Sequence, residues 1–391
     1  MSCDRILAAE KCCSLVRPAI HWLTHRIYVS IVKPILFNFK PDGVHHGMVA
    51  MTKAVQCVPG LRELPKLWAH HDKKLETEVA GIHFKNPIGL SAGFDKEISM
   101  LRMIRAVGFG WMTGGSVTWG EYKGNDGAWY YRLPNTKSLV VNAGLPSEGT
   151  EVVSQRVSRY DTSLFADFPL NVSVAKTNTK STVSEAEAVR DYCASLEVFD
   201  KIGQVSMLEI NISCPNTFGG EPFTTPERLE KLLAAIDLLN LTKPVFIKMP
   251  INLPLEKFDD LLSTVVNHKV HGVVIGNLHK DRQSVDIKDV LPDSVKGNLS
   301  GAPTRDVTTE LIRRTYRAYG DRLIVVGVGG IFSAEDAYEK IRAGASLVAL
   351  ITGLIFEGPS LAGDINHGLV RLLRRDGYSN IAEAVGADAE Q

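Results

Sequence analysis

The sequence predicts an α/β protein, a (β/α)8 TIM barrel preceded by an N-terminal helical segment. From about residue 80 onward, eight short apolar runs alternate with helical stretches. The runs are nearly continuous in apolar residues, which is typical of parallel strands buried on both faces. A chain of 391 residues is long for one ordinary domain but suits a barrel with an additional segment. The number of runs favours a closed barrel, and an open doubly wound sheet is the alternative.

Each of the eight runs has the length of a strand, and amphipathic segments separate most of them. The runs are PIGLSAG (87–93), FGWMTGG (109–115), LNVSVA (170–175), MLEINIS (207–213), PVFIKMP (244–250), HGVVIGN (271–277), LIVVGVGG (323–330) and LVALITG (347–353). Residues 225–240 and 333–345 show helical periodicity, and Thr225 is a candidate N-cap. We expect functional residues at the C-terminal ends of the strands, where barrels place their sites.

Composition and charge argue against several classes of protein. The chain carries 44 basic and 44 acidic residues and lacks the basic excess of a nucleic-acid-binding protein. We expect neither nucleic acid nor a metal ion as a partner. The six cysteines form no CxxC pair, which predicts free thiols in a reducing compartment. No apolar run reaches the roughly 18–20 residues of a membrane-spanning helix, and the N-terminus lacks the pattern of a secretory signal.

Residues 1–74 differ from residues 75–391, and we expect them to form a separate segment. They contain 11 Lys/Arg and 5 Asp/Glu, a balance of 11 − 5 = +6 that the remainder must offset with −6. The stretches 5–39 and 43–58 are amphipathic. Basic amphipathic helices bind membrane surfaces through apolar burial and attraction to anionic lipid. Two helices that simply dock on the barrel would show the same periodicity, but the positive charge favours the membrane.

Glycines end the last two predicted strands and indicate a phosphate site. Gly329 and Gly330 close the seventh strand, and Thr352 and Gly353 close the eighth. In barrels the loops after these strands commonly bind phosphate through backbone N–H groups, and glycine lets the backbone approach the anion. A glycine pair by itself would more simply be a turn. The Thr-Gly pair on the next strand favours phosphate binding.

Two lysines occupy strand ends, where a partly buried cation must be compensated. Lys248 ends an apolar strand in FIKMP, and Lys96 follows the glycine turn of SAGFDKE. The functional interpretation of Lys248 is a cation that faces developing negative charge, for instance on a reduced flavin. The alternative for Lys248 is a structural ion pair, and the alternative for Lys96 is an ion pair with Asp95 or Glu97.

Four asparagines and a cysteine also lie at predicted strand ends. Asn142, Asn211, Asn216 and Asn277 offer amide donors and acceptors that would match the alternating carbonyl and N–H groups of a pyrimidine. Each of them alone would more often form a turn. Cys214, in NISCPNT, is either an inert buried thiol or a general base whose thiolate is accessible at modest cost near neutral pH.

Eight motifs together resemble the dihydroorotate dehydrogenase family, the FMN enzymes of pyrimidine biosynthesis. The resemblance covers nearly all of the chain from about Tyr28 onward. The motifs are AGFDK (92–96), GSVT (115–118), RLP (132–134), NISCPNT (211–217), IKMP (247–250), LSGAPTRD (299–306), GVGGIFSAEDAYEKIRAGASLV (327–348) and EAVGAD (383–388). The resemblance implies a TIM barrel that binds FMN and oxidises dihydroorotate to orotate.

The resemblance also implies a site, residue by residue. The FMN phosphate would rest on Gly329, Gly330, Thr352 and Gly353, and the other FMN positions are Ala92, Gly93, Lys96, Ser116, Ser173, Asn211, Lys248, Gly276, Gly301 and Ile351. The substrate positions are Lys96, Asn142, Ala143, Gly144, Leu145, Asn211, Asn216, Asn277 and Leu278. The catalytic residues would be Cys214, Lys248 and Lys96. Cys214 would take the C5 proton while C6 delivers hydride to the flavin, and Lys248 would stabilise the reduced ring.

The N-terminal segment resembles the two-helix cap of the membrane-associated, quinone-reducing class. His45 and Arg132 match the quinone site of that class. This implies a membrane quinone, ubiquinone or menaquinone, as electron acceptor and a lipid surface as partner. We expect a peripheral membrane protein at the cytoplasmic face of a bacterial inner membrane, and the mitochondrial inner membrane is the alternative.

Several positions depart from the quinone-reducing class. Cys214 stands where serine is typical, and AGLP (143–146) looks more like the soluble class. Ser173, Leu278 and Ile351 also differ from the residues usual at those positions. An FMN barrel that oxidises dihydroorotate or another reduced pyrimidine with a soluble acceptor such as fumarate is therefore one alternative. A barrel that binds membrane or phosphate without catalysis is another.

Overall fold

The computed structural model describes residues 20–390, and its centre is a closed barrel of eight parallel strands. The strands of the described chain are β1 (Thr77–Val79), β2 (Ile82–Phe84), β3 (Ile88–Leu90), β4 (Trp111–Val117), β5 (Tyr130–Leu133), β6 (Ser138–Val141), β7 (Leu170–Val174), β8 (Met207–Asn211), β9 (Val245–Met249), β10 (Gly272–Ile275), β11 (Asn298–Leu299), β12 (Ile324–Val328) and β13 (Leu347–Leu350). Around the barrel the order is β3, β4, β7, β8, β9, β10, β12 and β13, and β13 pairs with β3. The predicted barrel and its eight strand positions are confirmed, and the open sheet is wrong.

Apolar side chains fill the N-terminal end of the barrel. Trp111, Met207, Phe246 and Leu347 lie at the starts of their strands, are buried, and pack with Phe84 of the antiparallel β1–β2 hairpin. Burial of an apolar side chain of this size contributes about 1.5–3 kcal/mol. The hairpin therefore closes this end of the barrel, and polar residues are found toward the C-terminal ends of the strands.

The helices between the strands pack around the outside of the barrel. They are Leu101–Ala106, Thr150–Ser158, Glu185–Asp200, Pro226–Asp237, Leu255–Val265, Arg305–Tyr319, Ala334–Arg342, Thr352–Glu357 and Leu361–Asp376. The two predicted helices are present with shorter ends. Thr225 is at the N-cap position, but its side chain accepts no capping hydrogen bond, so the predicted side-chain cap is wrong. Ser333 does cap its helix, because its hydroxyl accepts a hydrogen bond from the Asp336 amide.

A three-stranded antiparallel sheet, β5–β6–β11, lies outside the barrel. Its strands β5 and β6 form a hairpin within the long connection between β4 and β7. The sheet carries Tyr130 and Arg132 on β5 and contacts the second helix of the N-terminal segment. It therefore connects that segment with the C-terminal end of the barrel.

The N-terminal segment forms a helical cap on the barrel, and we call residues 20–58 the cap. A helix over 20–27 continues through a π-helical turn (Tyr28–Val32) into Lys33–Phe37, and a second helix spans Pro41–Val55. The Tyr28 hydroxyl donates a hydrogen bond of 2.7 Å to the Ile355 carbonyl, and the Phe37 and Phe356 rings are 5.5 Å apart. The inner side of the cap is thus docked on the helix that follows β13.

The outer side of the cap exposes a set of large apolar side chains. They are Trp22, Leu23, Ile27, Ile31, Val32, Ile35, Phe39, Met48, Met51 and Val58. None of the helices in the described chain is long and apolar enough to cross a bilayer. The expectation for 5–19 lies outside the described residues. Exposed large apolar side chains concentrated in one segment are characteristic of a surface that binds a membrane or another protein.

Candidate active site

Polar side chains from three neighbouring strands meet at the C-terminal end of the barrel. Ser116 follows Gly115 on β4, and its hydroxyl lies 2.8 Å from the Ser173 hydroxyl on β7. The Asn211 carboxamide on β8 donates a hydrogen bond of 2.8 Å to the Ser116 hydroxyl. All three side chains are buried. The barrel thus brings together three of the residues that the sequence places in the flavin site.

Lys248 lies on β9 directly opposite Asn211, and only 7% of its surface is exposed. Across residues 20–390 its ammonium makes no hydrogen bond and no ion pair within the protein. The structural ion pair considered from the sequence is therefore absent from the described chain. A buried charge costs several kcal/mol unless it is paired, so such a lysine is expected to have a ligand as its partner.

Lys96 is held by two aromatic residues of the β5 region and by no carboxylate. Its ammonium donates a hydrogen bond of 2.9 Å to the Tyr130 hydroxyl and lies 5.7 Å from the ring centres of both Trp129 and Tyr130. The Asp95 carboxylate instead accepts hydrogen bonds from Ser99 and Met100. The ion pair of Lys96 with Asp95 is therefore wrong.

The other proposed partner of Lys96 is also engaged elsewhere. The Glu97 carboxylate accepts a hydrogen bond from the Glu148 amide and lies 3.8 Å from Arg156. Burial raises the pKa of Glu97 to about 7, with Glu148 as the next cause in the same direction. The Lys96 cation consequently has no carboxylate partner within the described chain, and it remains available to an anionic ligand.

Cys214 is a free thiol in the loop after β8, and the protein disfavours its charged form. Its side chain keeps a partly exposed surface, but burial of the sulfur raises its pKa to about 11. The Asn216 amide, Lys248 and Lys176 lower the pKa, and Glu221 raises it. The expectation of a thiolate at modest cost near neutral pH is therefore wrong for the protein alone, because desolvation outweighs the two cations.

Lys176 is a buried residue near this thiol that the sequence analysis missed. It follows β7, only 3% of its surface is exposed, and its ammonium donates a hydrogen bond of 2.9 Å to the Phe218 carbonyl. Burial lowers the pKa of Lys176, and Cys214 and Asp191 act in the opposite direction. Its position directly after a predicted strand was the available signal, since the same reasoning identified Lys248.

Asn125, which the sequence analysis did not single out, bridges Asn142 and Asn216, two of the four predicted asparagines. The Asn125 carboxamide donates hydrogen bonds of 3.3 Å to the Asn142 side-chain oxygen and 3.0 Å to the Asn216 carbonyl. Asn298 donates a hydrogen bond of 2.9 Å to the Asn216 side-chain oxygen. Asn277 lies apart from this network and donates to the Ser213 hydroxyl, next to Cys214. The four predicted asparagines therefore do not share one network, because Asn277 bonds to Ser213 and Asn211 to Ser116.

The other residues that the sequence predicts to bind substrate lie around the same asparagines. Ala143 and Gly144 offer backbone carbonyls, to the Asn125 amide at 3.0 Å and to the Asn178 carboxamide at 2.9 Å. Leu145 has a positive φ of 65°, and the Leu278 carbonyl accepts a hydrogen bond of 2.9 Å from Asn252. These backbone contacts fix the segment 142–145 against the asparagine network.

The glycines after β12 and β13 stand where a side chain would not fit. A Cβ atom at Gly329 would lie 2.5 Å from the Thr304 hydroxyl oxygen, and one at Gly353 would lie 2.1 Å from the Ile331 carbonyl oxygen. Gly330 has a φ of +68°, a conformation that favours glycine. Close packing of these loops against Thr304 and Ile331 therefore requires glycine, and a glycine backbone also lets an anion approach its N–H groups.

The other residues that the sequence predicts to bind the flavin lie near these glycines. Gly301 faces Thr352, whose hydroxyl lies 2.9 Å from the Ser300 hydroxyl. Gly276 has a φ of +152°, and a Cβ atom there would lie 2.4 Å from the Val328 carbonyl oxygen. Ala92 is buried, and a Cβ at Gly93 would touch the Ile351 side chain at 3.5 Å. The structure thus places Ala92, Gly93 and Ile351 at the ends of the adjacent strands β3 and β13.

His45 and Arg132, the proposed quinone residues, both lie between the cap and the barrel. The His45 ring is 6.1 Å from Phe94 and 5.5 Å from Tyr130, and burial lowers its pKa to about 3, with Lys96 acting in the same direction. The Arg132 guanidinium lies 4.6 Å from the Phe37 ring and donates a hydrogen bond of 2.7 Å to the Phe39 carbonyl. His45 is therefore neutral at physiological pH and faces the site from the second helix of the cap.

Within residues 20–390, no three histidine, cysteine or acidic side chains are placed to hold a metal ion. The chemistry available at this site is therefore that of a thiol, two lysines and a set of carboxamides around a glycine-lined cradle. The residues that the sequence analysis missed here are Asn125, Asn298, Lys176, Trp129 and Tyr130.

Comparison with known proteins identifies one family throughout. The family model for dihydroorotate dehydrogenase matches residues 74–373. The dihydroorotate dehydrogenase (quinone) of Halobacterium salinarum is 34% identical over 366 residues, which cover 92% of this chain and 99% of that protein. The protein of the same name from Mycolicibacterium smegmatis is 34% identical over 358 residues, which cover 91% and 98%.

Solved structures show the same fold. The crystal structure of DHODH from Eimeria tenella in complex with ferulenol superposes with a TM-score of 0.80 at 22% identity and covers 90% of this chain and 98% of that one. The ligand-free form of DHODH from that organism has a TM-score of 0.76 at 25% identity and covers 88% and 98%. The barrel and its N-terminal helical cap are therefore an arrangement that known proteins share.

Proposed function

The chain belongs to the quinone-type dihydroorotate dehydrogenase family of pyrimidine biosynthesis, and on this premise we propose how its own residues oxidise dihydroorotate to orotate. The observation that carries the proposal is Lys248. The residue is 7% exposed, its ammonium has no protein partner in the described chain, and it lies at the barrel mouth beside Asn211. A cation in that position fits an electron-rich ligand ring.

We propose FMN as this ligand, because the family typically uses it and the residues present fit it. The phosphate would be held by the backbone of Gly329, Gly330, Thr352 and Gly353. The ring system would contact Ala92, Gly93, Lys96, Ser116, Ser173, Asn211, Lys248, Gly276, Gly301 and Ile351. Bound FMN would supply the chemistry of hydride acceptance from C6 of dihydroorotate and of electron transfer to the acceptor. The glycines at the ends of β12 and β13 and the absence of a protein partner for Lys248 in the described chain both support this assignment.

The substrate would bind through the lysine and the asparagines at the barrel mouth. Dihydroorotate carries a carboxylate and a pyrimidine edge of alternating carbonyl and N–H groups. The Lys96 ammonium suits the carboxylate, and the carboxamides of Asn142, Asn211, Asn216 and Asn277 suit the edge. Ala143, Gly144, Leu145 and Leu278 would line the same pocket. The bridging hydrogen bonds of Asn125 support this arrangement, because they orient Asn142 before any ligand arrives.

Cys214 is proposed as the general base that takes the proton from C5 of the substrate. The proton moves to the sulfur as the new C5–C6 double bond forms, and it then passes to solvent. The thiol is the resting form of Cys214, since its pKa is raised to about 11, and the reaction needs the thiolate. Lys248 and Lys176 stabilise that thiolate, and they offset part of the desolvation cost.

The proposed electron acceptor is a membrane quinone that enters beneath the cap. His45 and Arg132 lie in the interface between cap and barrel, and the outer face of the cap is apolar. These features support peripheral attachment to a membrane, which we place at the cytoplasmic face of a bacterial inner membrane. On the same grounds we propose residues 1–74 as the membrane and quinone segment and residues 75–391 as the FMN-binding catalytic domain.

The test is an acceptor assay with purified protein and dihydroorotate as electron donor. The protein should be yellow from bound flavin and should turn over with ubiquinone or menaquinone analogues. Turnover with fumarate alone would establish the soluble-acceptor alternative, which Cys214 and Ile351 favour as departures from the quinone-reducing pattern. A colourless protein that takes up no added FMN would refute the enzyme assignment.

A further inference from the structure

Two aromatic residues that have no assigned role link the cap to the substrate lysine. Trp129 immediately precedes β5, and Tyr130 is its first residue. The Asp42 carboxylate on the second cap helix accepts a hydrogen bond of 3.1 Å from the Trp129 amide. The His46 ring is 5.7 Å from the Trp129 ring, and the His45 ring is 5.5 Å from the Tyr130 ring. Three residues within about one turn of one cap helix thus contact this dipeptide.

The same dipeptide provides the contacts of the Lys96 ammonium. The Tyr130 hydroxyl accepts its hydrogen bond at 2.9 Å, and the Trp129 and Tyr130 rings both lie 5.7 Å from the charge. Neither neighbouring carboxylate is available, because Asp95 and Glu97 are bound to other groups. The direction of the flexible Lys96 side chain is therefore set by two aromatic residues, and the cap contacts the rings of both.

Trp129 also fixes the asparagine network. Its indole N–H donates a hydrogen bond of 2.9 Å to the Asn125 carbonyl, and its own carbonyl accepts one of 2.8 Å from the Asn142 amide. Asn125 in turn bridges Asn142 and Asn216. Lys96, Asn142 and Asn216, which would bind the substrate, are therefore all linked to Trp129 or Tyr130, directly or through Asn125. Trp129 and Tyr130 themselves are not among the proposed substrate-binding residues.

We propose that Trp129 and Tyr130 are positioning residues through which the cap sets the geometry of the substrate site, so that cap contacts control affinity for the pyrimidine. The inference rests on the proposed function, since it takes orotate as the ligand of Lys96. Its consequence is that a cap residue remote from the substrate, Asp42, influences the dihydroorotate half of the reaction as well as the quinone half. A cap that served only the acceptor would leave substrate binding unchanged.

The experiment measures orotate binding to full-length, FMN-loaded protein by calorimetry in the absence of quinone. Tyr130→Phe retains the ring and removes the hydroxyl, and it should raise the dissociation constant of orotate about tenfold, since it removes one hydrogen bond to a charged group. Asp42→Ala should weaken orotate by about threefold or more, and Asp42→Asn, which keeps an acceptor oxygen for the Trp129 amide, should restore most of the affinity. Flavin content and melting temperature are recorded for every variant.

The matched control is Tyr131→Phe, the adjacent residue on the same strand. The Tyr131 hydroxyl donates to the Val290 carbonyl and is exposed, so its removal should leave orotate affinity unchanged. Equal affinity in wild type and Tyr130→Phe would overturn the inference while leaving the proposed function intact. So would equal losses in Tyr130→Phe and Tyr131→Phe, since these would indicate a general effect on the fold. Wild-type protein that binds FMN but no orotate would overturn both the inference and the proposed function.

Discussion

Asn211 and Lys248 face each other in the register of β8 and β9, so that a carboxamide and an unpaired ammonium lie side by side at the mouth of the barrel. The carboxamide is tied to Ser116, whereas the ammonium has no protein partner in the described chain. The pair therefore combines a fixed hydrogen-bonding group with a charge that only a ligand can satisfy. This asymmetry distinguishes a ligand site from the interior of a stable core.

Replacing Lys248 by methionine should lower the reduction potential of bound FMN. The cation favours the electron-rich reduced ring, so its loss should shift the two-electron potential downward by roughly 30 mV or more, which corresponds to about 1.4 kcal/mol. A spectroscopic redox titration of the purified protein measures this shift. Lys243→Met, two residues before the start of the same strand, is the control. An unchanged potential in Lys248→Met would contradict the assigned role.

Replacing Cys214 by alanine should stop dihydroorotate oxidation while flavin stays bound. Loss of a general base typically costs about 10²–10⁴-fold in rate, and the flavin contacts belong to other residues. Anaerobic stopped-flow measurement of flavin bleaching by dihydroorotate isolates this step from quinone reduction. Cys214→Ser should keep weak activity that improves at high pH, because a hydroxyl is a much weaker acid than a thiol. Full activity in Cys214→Ala would show that another group takes the proton.

The rate of flavin reduction by dihydroorotate should rise with pH across the neutral and mildly alkaline range. The pKa of Cys214 is raised to about 11 by burial, so the neutral thiol predominates at neutral pH and the thiolate fraction grows as protons are removed. For one titrating base this gives up to roughly tenfold per pH unit below the pKa. Single-turnover rates between about pH 6 and pH 9 measure the slope. A profile that falls as pH rises is incompatible with a thiolate base.

Adding a side chain at Gly353 should abolish FMN retention. A Cβ there would lie 2.1 Å from the Ile331 carbonyl oxygen, and the loop must move to accommodate it. Gly353→Ala protein should be purified colourless and should bind FMN at least about tenfold more weakly, because the proposed cradle requires close backbone approach. Gly203→Ala is the control, because no atom lies within 4 Å of its Cβ position. Normal flavin content in Gly353→Ala would argue for a different phosphate site.

Acidic substitutions on the outer face of the cap should reduce binding to membranes. Ile31, Ile35 and Met51 are exposed apolar residues of the cap. Changing all three to glutamate should lower cosedimentation with anionic liposomes by about tenfold or more, since it removes apolar burial and adds repulsion from the lipid. Leu238→Glu combined with Val290→Glu, both exposed and outside the cap, should have little effect. Equal liposome binding by all variants would remove the support for this face as a membrane surface.

The barrel could be predicted from local sequence, because each of its strands is a short apolar run that no other element resembles. The position of Lys248 followed from the same pattern, since parallel strands place their C-terminal residues at one end. The partners of Lys96 could not be predicted in this way. Trp129 and Tyr130 lie at β5, whose place is set by antiparallel pairing with β6 and by contact with the cap, and neither leaves a periodic signal.

The acidity of Cys214 was also beyond the sequence. A cysteine beside asparagines and a proline suggested a polar environment, whereas the folded chain surrounds the sulfur closely enough for desolvation to outweigh two lysines. Asn125 and Asn298 were missed because their neighbours in space, Asn142 and Asn216, lie at sequence separations of 17 and 82 residues. Such contacts arise from tertiary structure, and no local motif predicts them.

The β1–β2 hairpin closes the N-terminal end of the barrel with Phe84 and its neighbours, and ligands therefore cannot enter the barrel from that end. A lipid-soluble oxidant and a water-soluble acid must both arrive at the rim, where the cap covers part of the opening. In the proposed attachment, the exposed apolar side chains of the cap would rest on the bilayer and the rim beside the cap would lie near the lipid headgroups. The enzyme would then take its oxidant from the membrane and its acid from the aqueous phase at the same rim.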